Sequence, residues 1–358
     1  MKTIKITLIA LASILMASCE SYYRVVTTLD SDGKAYREIY TKGDSAFIAG
    51  DMSKNPYLFD ISDWDIVRLD TVNKYDFFGK EAEINVKVKK TVASIDLFSK
   101  SLRYGEDKKS FAAPEESLSK KFRWFYTNYK FAGVYKKVTC EVPVSIDKYL
   151  TKEEQKIWSQ GDFSKYKALN GSELNDRLGD LESKFMEWYS RNSFEMSLTG
   201  IKKYSDKNIP DTDKDIIYKQ ILAYDQTAYP DITPESICKA MDMFYKTNSY
   251  SRLYDSQKEE IDKVFDEADS FINILGNVIR YELVVPGEII ESNSPMISSG
   301  ILTWKIDGVR LLFDDYTLTA EYRIVNVWAF IVSGLIVVIA IFSCLLLMKK
   351  KMLKKLKK

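Results

Sequence analysis

The chain has 358 residues, with 52 Lys and Arg side chains against 51 Asp and Glu, and it contains no histidine. The lack of histidine excludes serine–histidine and cysteine–histidine hydrolases and zinc sites that use histidine ligands. Nine of the basic residues are lysines at the two ends, so the rest of the chain carries 43 basic and 51 acidic side chains, which argues against a nucleic-acid-binding surface there.

Residues 1–18 have the pattern of a secretory signal peptide. Lys2 and Lys5 form a short positive region, and residues 6–16 are an apolar run without charge. The run is too short to cross ~30 Å of hydrocarbon comfortably. We therefore expect this segment to direct export of the chain.

Cys19 follows the small residues Ala17 and Ser18, which is the arrangement of a bacterial lipobox. In that motif the thiol is acylated and the chain is then cut before the cysteine, so Cys19 is the predicted lipidation site. Met16 occupies the position where the motif usually has leucine. Ordinary signal cleavage after Cys19, with Ala17 and Cys19 as the small pair, is the alternative interpretation.

Residues 19–143 are predicted to form the β-rich N-terminal part of an ectodomain. Two β-prone runs flank residues 30–34, Asp-Ser-Asp-Gly-Lys, which predicts a hairpin. Apolar and polar side chains alternate in residues 83–90, and this predicts a half-buried antiparallel strand. The inward residues of that strand would be Ile84, Val86 and Val88.

Residues 120–139 carry aromatic side chains on both faces of one extended segment. A strand that is apolar on both faces is typical of the centre of a sheet that is covered on both sides. We therefore expect one central strand here, with the Trp124 side chain buried. An aromatic platform for a ligand is the alternative.

Residues 144–277 change to a helical period and are predicted to form an insertion of four to six helices. The sequence places capping boxes at residues 151–154 and 256–259 and a threonine–proline helix start at residues 233–234. Spacings of four, three, four and three residues predict one apolar helical face made of Leu174, Leu178, Leu181, Phe185 and Trp188.

Residues 278–324 return to a β pattern, which is broken at Pro286-Gly287 and at Asp307-Gly308. The predicted fold class is α+β. An antiparallel sheet is formed by the N- and C-terminal flanks, a helical insertion lies in the centre, and one transmembrane helix follows. Separate β and α domains are the alternative.

Residues 327–348 are free of charge and, at ~1.5 Å per residue, would form a helix of about 33 Å. This length predicts a transmembrane helix, and the indole of Trp328 suits the headgroup region at its start. Residues 349–358 hold seven lysines and no acid, which predicts a cytoplasmic tail and a periplasmic ectodomain at a bacterial inner membrane. With Cys19 acylated, both ends of the ectodomain would be anchored in the same bilayer.

The other cysteines and acidic clusters are candidate sites with ordinary alternatives. Cys140 and Cys238 would share the oxidising compartment, so they form either a disulfide or two separate buried thiols.

Residues 211–215, Asp-Thr-Asp-Lys-Asp, match part of a calcium loop but precede a helix that acids would cap. Asp63 and Asp65 would place two carboxylates on one face, as a glycosidase needs. No metal or other cofactor is predicted.

Several stretches resemble an uncharacterised family of Bacteroidota membrane lipoproteins, namely residues 122–129, 148–162, 284–293, 301–306 and 314–329. The closing part is also similar to mycobacterial LppM-like lipoproteins, through Pro286-Gly287, Ser292-Asn293 and Thr303-Trp304 before a membrane span. The second resemblance implies an α/β ectodomain on a single span that handles envelope lipid. Neither resemblance implies an activity or a site residue.

Together these features predict a non-catalytic, inner-membrane-anchored lipoprotein whose periplasmic ectodomain binds a partner protein or an envelope lipid. Its predicted partners are the lipid bilayer and that protein or lipid, without nucleic acid. The alternative is a carboxylate-dependent envelope hydrolase that acts on glycan. A deep pocket with two converging acids would favour the hydrolase, and an apolar groove or an exposed aromatic patch would favour binding.

Overall fold

In the computed structural model, the described residues are 21–102, 113–138, 142–161, 166, 169–205, 209–224, 232–268 and 276–356. The strands in this part are β1 (Ser21–Leu29), β2 (Ala35–Thr41), β3 (Asp65–Asp76), β4 (Glu81–Val92), β5 (Glu115–Phe122), β6 (Tyr126–Tyr135), β7 (Asn277–Val284), β8 (Glu288–Ser292), β9 (Met296–Ser298), β10 (Ile301–Asp307) and β11 (Tyr316–Val325). The helices are α1 (Ser45–Ala49), α2 (Asp96–Ser101), α3 (Lys152–Gln160), α4 (Gly171–Tyr204), α5 (Asp211–Tyr224), α6 (Pro234–Tyr245), α7 (Ser249–Ser256), α8 (Lys258–Ala268), α9 (Gly308–Leu311) and α10 (Val327–Leu356).

The strands form two sheets, and the predicted α+β fold class is confirmed. The larger sheet has the order β3-β4-β2-β1-β7-β10-β9, and the smaller sheet has the order β5-β6-β11-β8. Each sheet therefore combines strands from before and after the helical insertion. The two flanks join in parallel where β1 pairs with β7, and in antiparallel fashion where β6 pairs with β11. The expected single sheet is thus divided into two, and one of its pairs is parallel.

The two sheets bury their facing apolar surfaces against each other, because a sheet with one apolar face needs a second layer. Phe131 of β6 lies 6.3 Å from Tyr281 of β7 and 6.5 Å from Trp304 of β10, measured between ring centroids. Within the smaller sheet, the rings of Tyr129 and Tyr322 stack at 5.0 Å. All five side chains are buried. This aromatic core fixes how the sheets lie on each other.

The local patterns of the N-terminal part are confirmed. The inward residues of β4 are buried as predicted, namely Ile84, Val86 and Val88. The predicted hairpin joins β1 to β2, and the Asp30 carboxylate accepts hydrogen bonds from the backbone N–H groups of Asp32 and Lys34 at 2.9 and 2.8 Å. Such a turn explains why this polar run ends one strand and starts the next.

The helices α3 to α8 form the predicted central insertion between β6 and β7. The capping box of Thr151 and Glu154 is present at the start of α3, and Thr233 caps α6 with Pro234 in its first turn. The predicted apolar face of α4 is buried at Leu178, Leu181, Phe185 and Trp188, and Leu174 is partly buried.

The capping box predicted at residues 256–259 is not formed. Ser256 is the last residue of α7, and its hydroxyl donates to the Leu253 carbonyl at 2.9 Å, whereas α8 begins at Lys258. The two helices follow each other so closely that the serine belongs to the first of them. Its side chain therefore serves the end of α7 and not the start of α8.

Contacts along β6 show which end of the larger sheet lies near the β5–β6 turn. Near the start of β6, the Tyr129 hydroxyl donates to the Ser31 carbonyl in the β1–β2 turn at 2.8 Å. At the end of β6, Tyr135 lines a cavity of about 30 Å³ together with Tyr23 from the start of β1. The start of β1 therefore lies at the end of the sandwich that is remote from the β5–β6 turn. We call this the remote end.

Residues 120–139 do not form the single central strand that their pattern predicts. Strand β5 ends at Phe122, β6 begins at Tyr126, and the Arg123 N–H donates to the Tyr126 carbonyl at 2.8 Å across the turn. Trp124 lies in this turn and is 45 % exposed, so the prediction that it is buried is wrong. The aromatic residues belong to two strands and a turn, and those in the turn face helix α10.

Helix α10 follows β11 after a single residue. By length and composition, its segment Val327–Lys349 is the one helix in the described part of the chain that could cross a membrane, with a mean hydropathy of 3.0. Most of its large apolar side chains are exposed. The helix is therefore a candidate span that matches the predicted residues 327–348.

Candidate membrane junction

Asn326 is the single residue between β11 and α10, and its polar groups bind the β5–β6 turn. Its backbone N–H donates to the Phe125 carbonyl at 2.9 Å, and its side-chain Oδ1 accepts from Thr127 Oγ1 at 2.9 Å. Its Nδ2 donates to the carbonyls of Arg123 and Trp124 at 2.8 and 3.1 Å. An asparagine amide suits this position because it both donates and accepts. The strand, the turn and the start of the helix thus form one hydrogen-bonded unit.

Three aromatic residues at the end of β5 and in the β5–β6 turn pack against the start of α10. We call Phe122, Trp124 and Phe125 the aromatic tip. Phe122 stacks on Trp328 at 6.2 Å between ring centroids, and Trp124 meets the same indole edge-on at 5.3 Å. Phe125 lies 4.7 Å from Phe330. These rings attach the tip to the side of the helix.

The Trp124 indole also makes a polar contact with the helix. Its Nε1–H donates to Ser333 Oγ at 2.8 Å. Ser333 lies six residues after Val327, which is ~9 Å along a helix axis. The aromatic tip therefore reaches beyond the junction and along the candidate span.

The aromatic tip remains partly exposed in spite of these contacts. Phe122, Trp124 and Phe125 are 55 %, 45 % and 39 % exposed, and Trp328 and Phe330 beside them are 49 % and 46 % exposed. Contiguous exposed apolar surface of this kind marks an interaction or membrane site. The tip and the start of α10 together form one apolar surface.

Charged residues of the smaller sheet lie next to this apolar surface. Arg323 pairs with Glu288 at 2.8 Å and places its guanidinium 4.8 Å from the ring centre of Tyr126. Lys130 pairs with Glu321 at 2.7 Å on the same sheet. The surface therefore changes from charged to apolar within a few residues of the junction.

The predicted lipidation and disulfide sites are only partly covered by the structure. Cys19 and Cys140 lie outside the described residues, as do residues 1–18. Cys238 is buried on α6 and is in no disulfide with a described residue. Burial raises the pKa of its thiol to about 12. Near neutral pH the group is therefore a protonated thiol and not the reactive thiolate.

The acids of residues 211–215 open helix α5, which agrees with the capping interpretation. Asp213 accepts a hydrogen bond from the Tyr245 hydroxyl at 2.8 Å, and Asp215 pairs with Arg191 at 2.8 Å. Within the described ranges, no group of three or more acidic or cysteine side chains is placed to hold a metal ion. These carboxylates join helices to one another.

The two carboxylates that the sequence suggested for a glycosidase both lie on the surface. Asp63 pairs with Lys90 at 2.7 Å on the surface, and Asp65 is the exposed first residue of β3. An open cleft of about 600 Å³ lies elsewhere, at the remote end, and its lining includes Glu81 and Glu83.

A hydrogen bond from Lys42, at 2.7 Å, lowers the pKa of the Glu83 carboxyl in this cleft. A glycosidase acid needs a raised pKa, so Glu83 does not fit that role.

A charged cluster that the sequence did not reveal lies between the two sheets. Arg37 of β2 is 1 % exposed, and its guanidinium donates to Glu116 Oε1 of β5 at 2.7 Å and to Thr27 Oγ1 at 2.8 Å. The Tyr281 hydroxyl donates to the same Glu116 oxygen at 2.8 Å. Burial opposes the charge of Arg37, but attraction to Glu116 outweighs it and raises the pKa of the guanidinium. The cluster joins the sheets, and the cavity that Arg37 lines has a volume of only about 30 Å³.

Comparison with known proteins gives little further information. No family model and no curated protein matches the chain. Among solved structures, the folded domain of LppM from Mycobacterium tuberculosis aligns at 8 % identity and a TM-score of 0.27, over 86 % of this chain and 92 % of that one. This likeness is too weak to carry an inference about fold or function. The resemblance to a Bacteroidota family has no support in these comparisons.

Proposed function

We propose that the protein is a single-pass inner-membrane lipoprotein whose periplasmic ectodomain binds a partner protein or an envelope lipid close to the bilayer. The junction is the observation that carries this proposal, because β11 continues into α10 through Asn326 and the β5–β6 turn is bonded to both. A junction of this kind holds the ectodomain at the surface of the membrane that α10 crosses. Exposed aromatic side chains mark it, so a binding role fits better than a hydrolase.

The distribution of charge supports the orientation of the chain. Seven lysines and no acid follow the span in residues 349–358, and such residues stay on the cytoplasmic side. The part of the chain before α10 is then periplasmic. Acylation of Cys19 belongs to the proposal because a lipobox-like stretch precedes that residue.

Two fusions of a reporter enzyme that is active only in the periplasm test the orientation. We expect the reporter to be inactive after Lys358, because the tail is cytoplasmic. We expect the same reporter to be active after Val325, because that fusion lacks α10. Activity after both positions would show that the tail is outside the cytoplasm and would refute the proposed topology.

Two analyses of the full chain test the rest of the proposal. Mass analysis of the mature N-terminus is expected to find acyl chains on Cys19, and a free amine on Glu20 would contradict lipidation. Cross-linking in cells is expected to recover an envelope protein or lipid bound to the ectodomain. Release of glycan fragments by the purified protein would instead support the hydrolase.

A further inference from the structure

We infer that the aromatic tip inserts into the membrane–water interface beside α10 and fixes how the ectodomain stands on the bilayer. The tip consists of Phe122, Trp124 and Phe125, which sit at the turn between β5 and β6. This inference rests on the proposed membrane span. It adds a second point of contact between the protein and the lipid.

The depth of the tip is the first argument. The Trp124 indole is bonded to Ser333, which is ~9 Å along the helix from Val327. When α10 spans a bilayer, its first turns lie in the headgroup region, where the rings of Trp and Tyr are enriched. The tip must lie in the same layer, because it is attached to those turns. Lipid is therefore the occupant that surrounds its exposed faces.

The surface around the tip fits this placement. The three residues of the tip are 39–55 % exposed, and in water they would form an unfavourable aromatic patch. The charged pairs Arg323–Glu288 and Lys130–Glu321 lie on the sheet next to the tip, where they would remain in water. Arg123 is exposed within the turn and forms no ion pair with a described residue, so it is placed to meet lipid phosphate.

The rigidity of the turn gives insertion a structural consequence. Three hydrogen bonds from Asn326 hold the backbone of the turn, so the tip enters the interface in the conformation that the structure shows. A single helix without a tip attached to it would let an ectodomain tilt about the residue that joins the two. A helix and a tip together define two points on the membrane surface, and they restrict that tilt.

Photo-crosslinking in a defined bilayer tests the inference. The full chain with the substitution Cys19→Ala, which removes the predicted acylation site, is reconstituted in vesicles of phosphatidylethanolamine and phosphatidylglycerol, with a photoreactive phenylalanine analogue at Phe122 or Phe125. We expect lipid adducts at both positions. The matched control is Met52, which is 46 % exposed and lies near Pro56, whose carbonyl accepts the Tyr23 hydroxyl at the remote end. We expect no lipid adduct there.

The same probe at Val337, in the middle of α10, separates the inference from the proposed function. Adducts at Val337 without adducts at Phe122 and Phe125 would overturn the inference and leave the span intact. Loss of adducts at Val337 as well would overturn both. Adducts of Phe122 or Phe125 with a second copy of the chain would show that the tip is a protein interface instead.

A double substitution tests the consequence for orientation. In Phe122→Ser/Phe125→Ser, we expect the distance between a dye at residue 52 and the bilayer surface to become more widely distributed, as measured by energy transfer. The fold should persist, since both side chains are substantially exposed, and circular dichroism checks this. An unchanged distance distribution in a folded variant would show that the tip does not orient the ectodomain.

Discussion

At the scale of single residues, the buried Arg37–Glu116 pair couples the two sheets. Its two side chains are 1 % and 0 % exposed and come from different sheets. The Arg37 guanidinium also lies 4.1 Å from the ring centre of Phe98. Removing one member of a buried pair leaves the other charged without compensation. The pair therefore makes the packing of the two sheets sensitive to either residue.

We predict that Arg37→Met destabilises the protein by roughly 3–5 kcal/mol, because Glu116 is left buried and unpaired. Urea unfolding of the full chain in detergent micelles measures this change. The double variant Arg37→Met/Glu116→Gln is the control. It should be more stable than Arg37→Met alone, since the orphaned charge is gone. A double variant that is no more stable than Arg37→Met would show that the two charges are not coupled.

Asp307, at the end of β10, gives a prediction about pH. The carboxylate is 5 % exposed and contacts Lys305 at 3.0 Å and Arg310 at 3.3 Å. Burial opposes its charge, but these cations lower the pKa from 3.8 to about 2. A carboxyl whose pKa is lower in the folded state stabilises that state above its unfolded pKa, and this contribution is lost as the pH falls from about 4 to about 2.

We therefore predict that Asp307→Asn is less stable than the natural protein at pH 6 by roughly 2 kcal/mol. In the natural protein, the Arg310 N–H donates to Asp307 Oδ1 at 3.0 Å, which caps the start of α9. The side-chain oxygen of asparagine can still accept this hydrogen bond. The gap in stability between the two proteins should close as the pH falls toward 2. A gap that is the same at pH 6 and pH 2.5 would contradict the proposed role of the charge.

At the scale of elements, Gly287 controls how β8 joins the strand that leads into α10. Its φ is +138°, and a Cβ atom there would lie 2.4 Å from the Arg323 carbonyl oxygen of β11. That approach is impossible without moving the backbone of one strand. The break predicted at Pro286-Gly287 is therefore a close contact between strands as well as a turn.

We predict that Gly287→Ala destabilises the protein by roughly 3 kcal/mol, through a strained φ and a backbone clash. Gly300→Ala is the matched control, because Gly300 has a φ of +78° but no atom within 4 Å of its virtual Cβ. That variant should lose only ~1–2 kcal/mol from the left-handed conformation. Thermal unfolding of both variants in the same micelles makes the comparison, and equal losses would show that the clash is relieved.

At the scale of the whole molecule, the position of Ser21 bears on the predicted double anchor. Strand β1 runs eight residue steps from Leu29 to Ser21, about 26 Å, toward the remote end. Two residue steps separate Cys19 from Ser21, and they reach at most ~7 Å. If the aromatic tip lies at the bilayer and the strands stand away from it, this reach would be too short to bring Cys19 back to the membrane that holds α10. The expectation that one bilayer anchors both ends stays a prediction, and it requires the ectodomain to lie along the membrane.

We predict that the acylated full chain, held in one vesicle by α10, tethers a second, protein-free vesicle through its Cys19 lipid. Light scattering after mixing the two vesicle populations measures tethering. Cys19→Ala should remain in its vesicle and tether none. Absence of tethering by protein whose acylation is verified by mass would show that the lipid returns to the bilayer of α10 and that the ectodomain lies along it.

Much of the secondary structure could be predicted from the sequence because its causes are local. Alternation in β4, the capping of α3 and α6, and the apolar run of α10 each depend on residues that are close together in the sequence. The β5–β6 turn was missed because the stretch Phe122–Tyr126 contains no glycine, proline, asparagine or aspartate to mark it. Its aromatic residues are explained by a helix that lies about 200 residues further along the chain.

The sequence by itself determined the α+β class, the central helical insertion and the apolar helix, since periodicity and capping act over short distances. Only the tertiary structure decided which strands meet. The parallel pairing of β1 with β7, the division into two sheets and the Arg37–Glu116 pair join residues that are 79 to more than 250 positions apart. It also decided that Trp124 contacts α10 instead of the core. Such contacts depend on how layers pack, and no local pattern records which distant surface will cover a side chain.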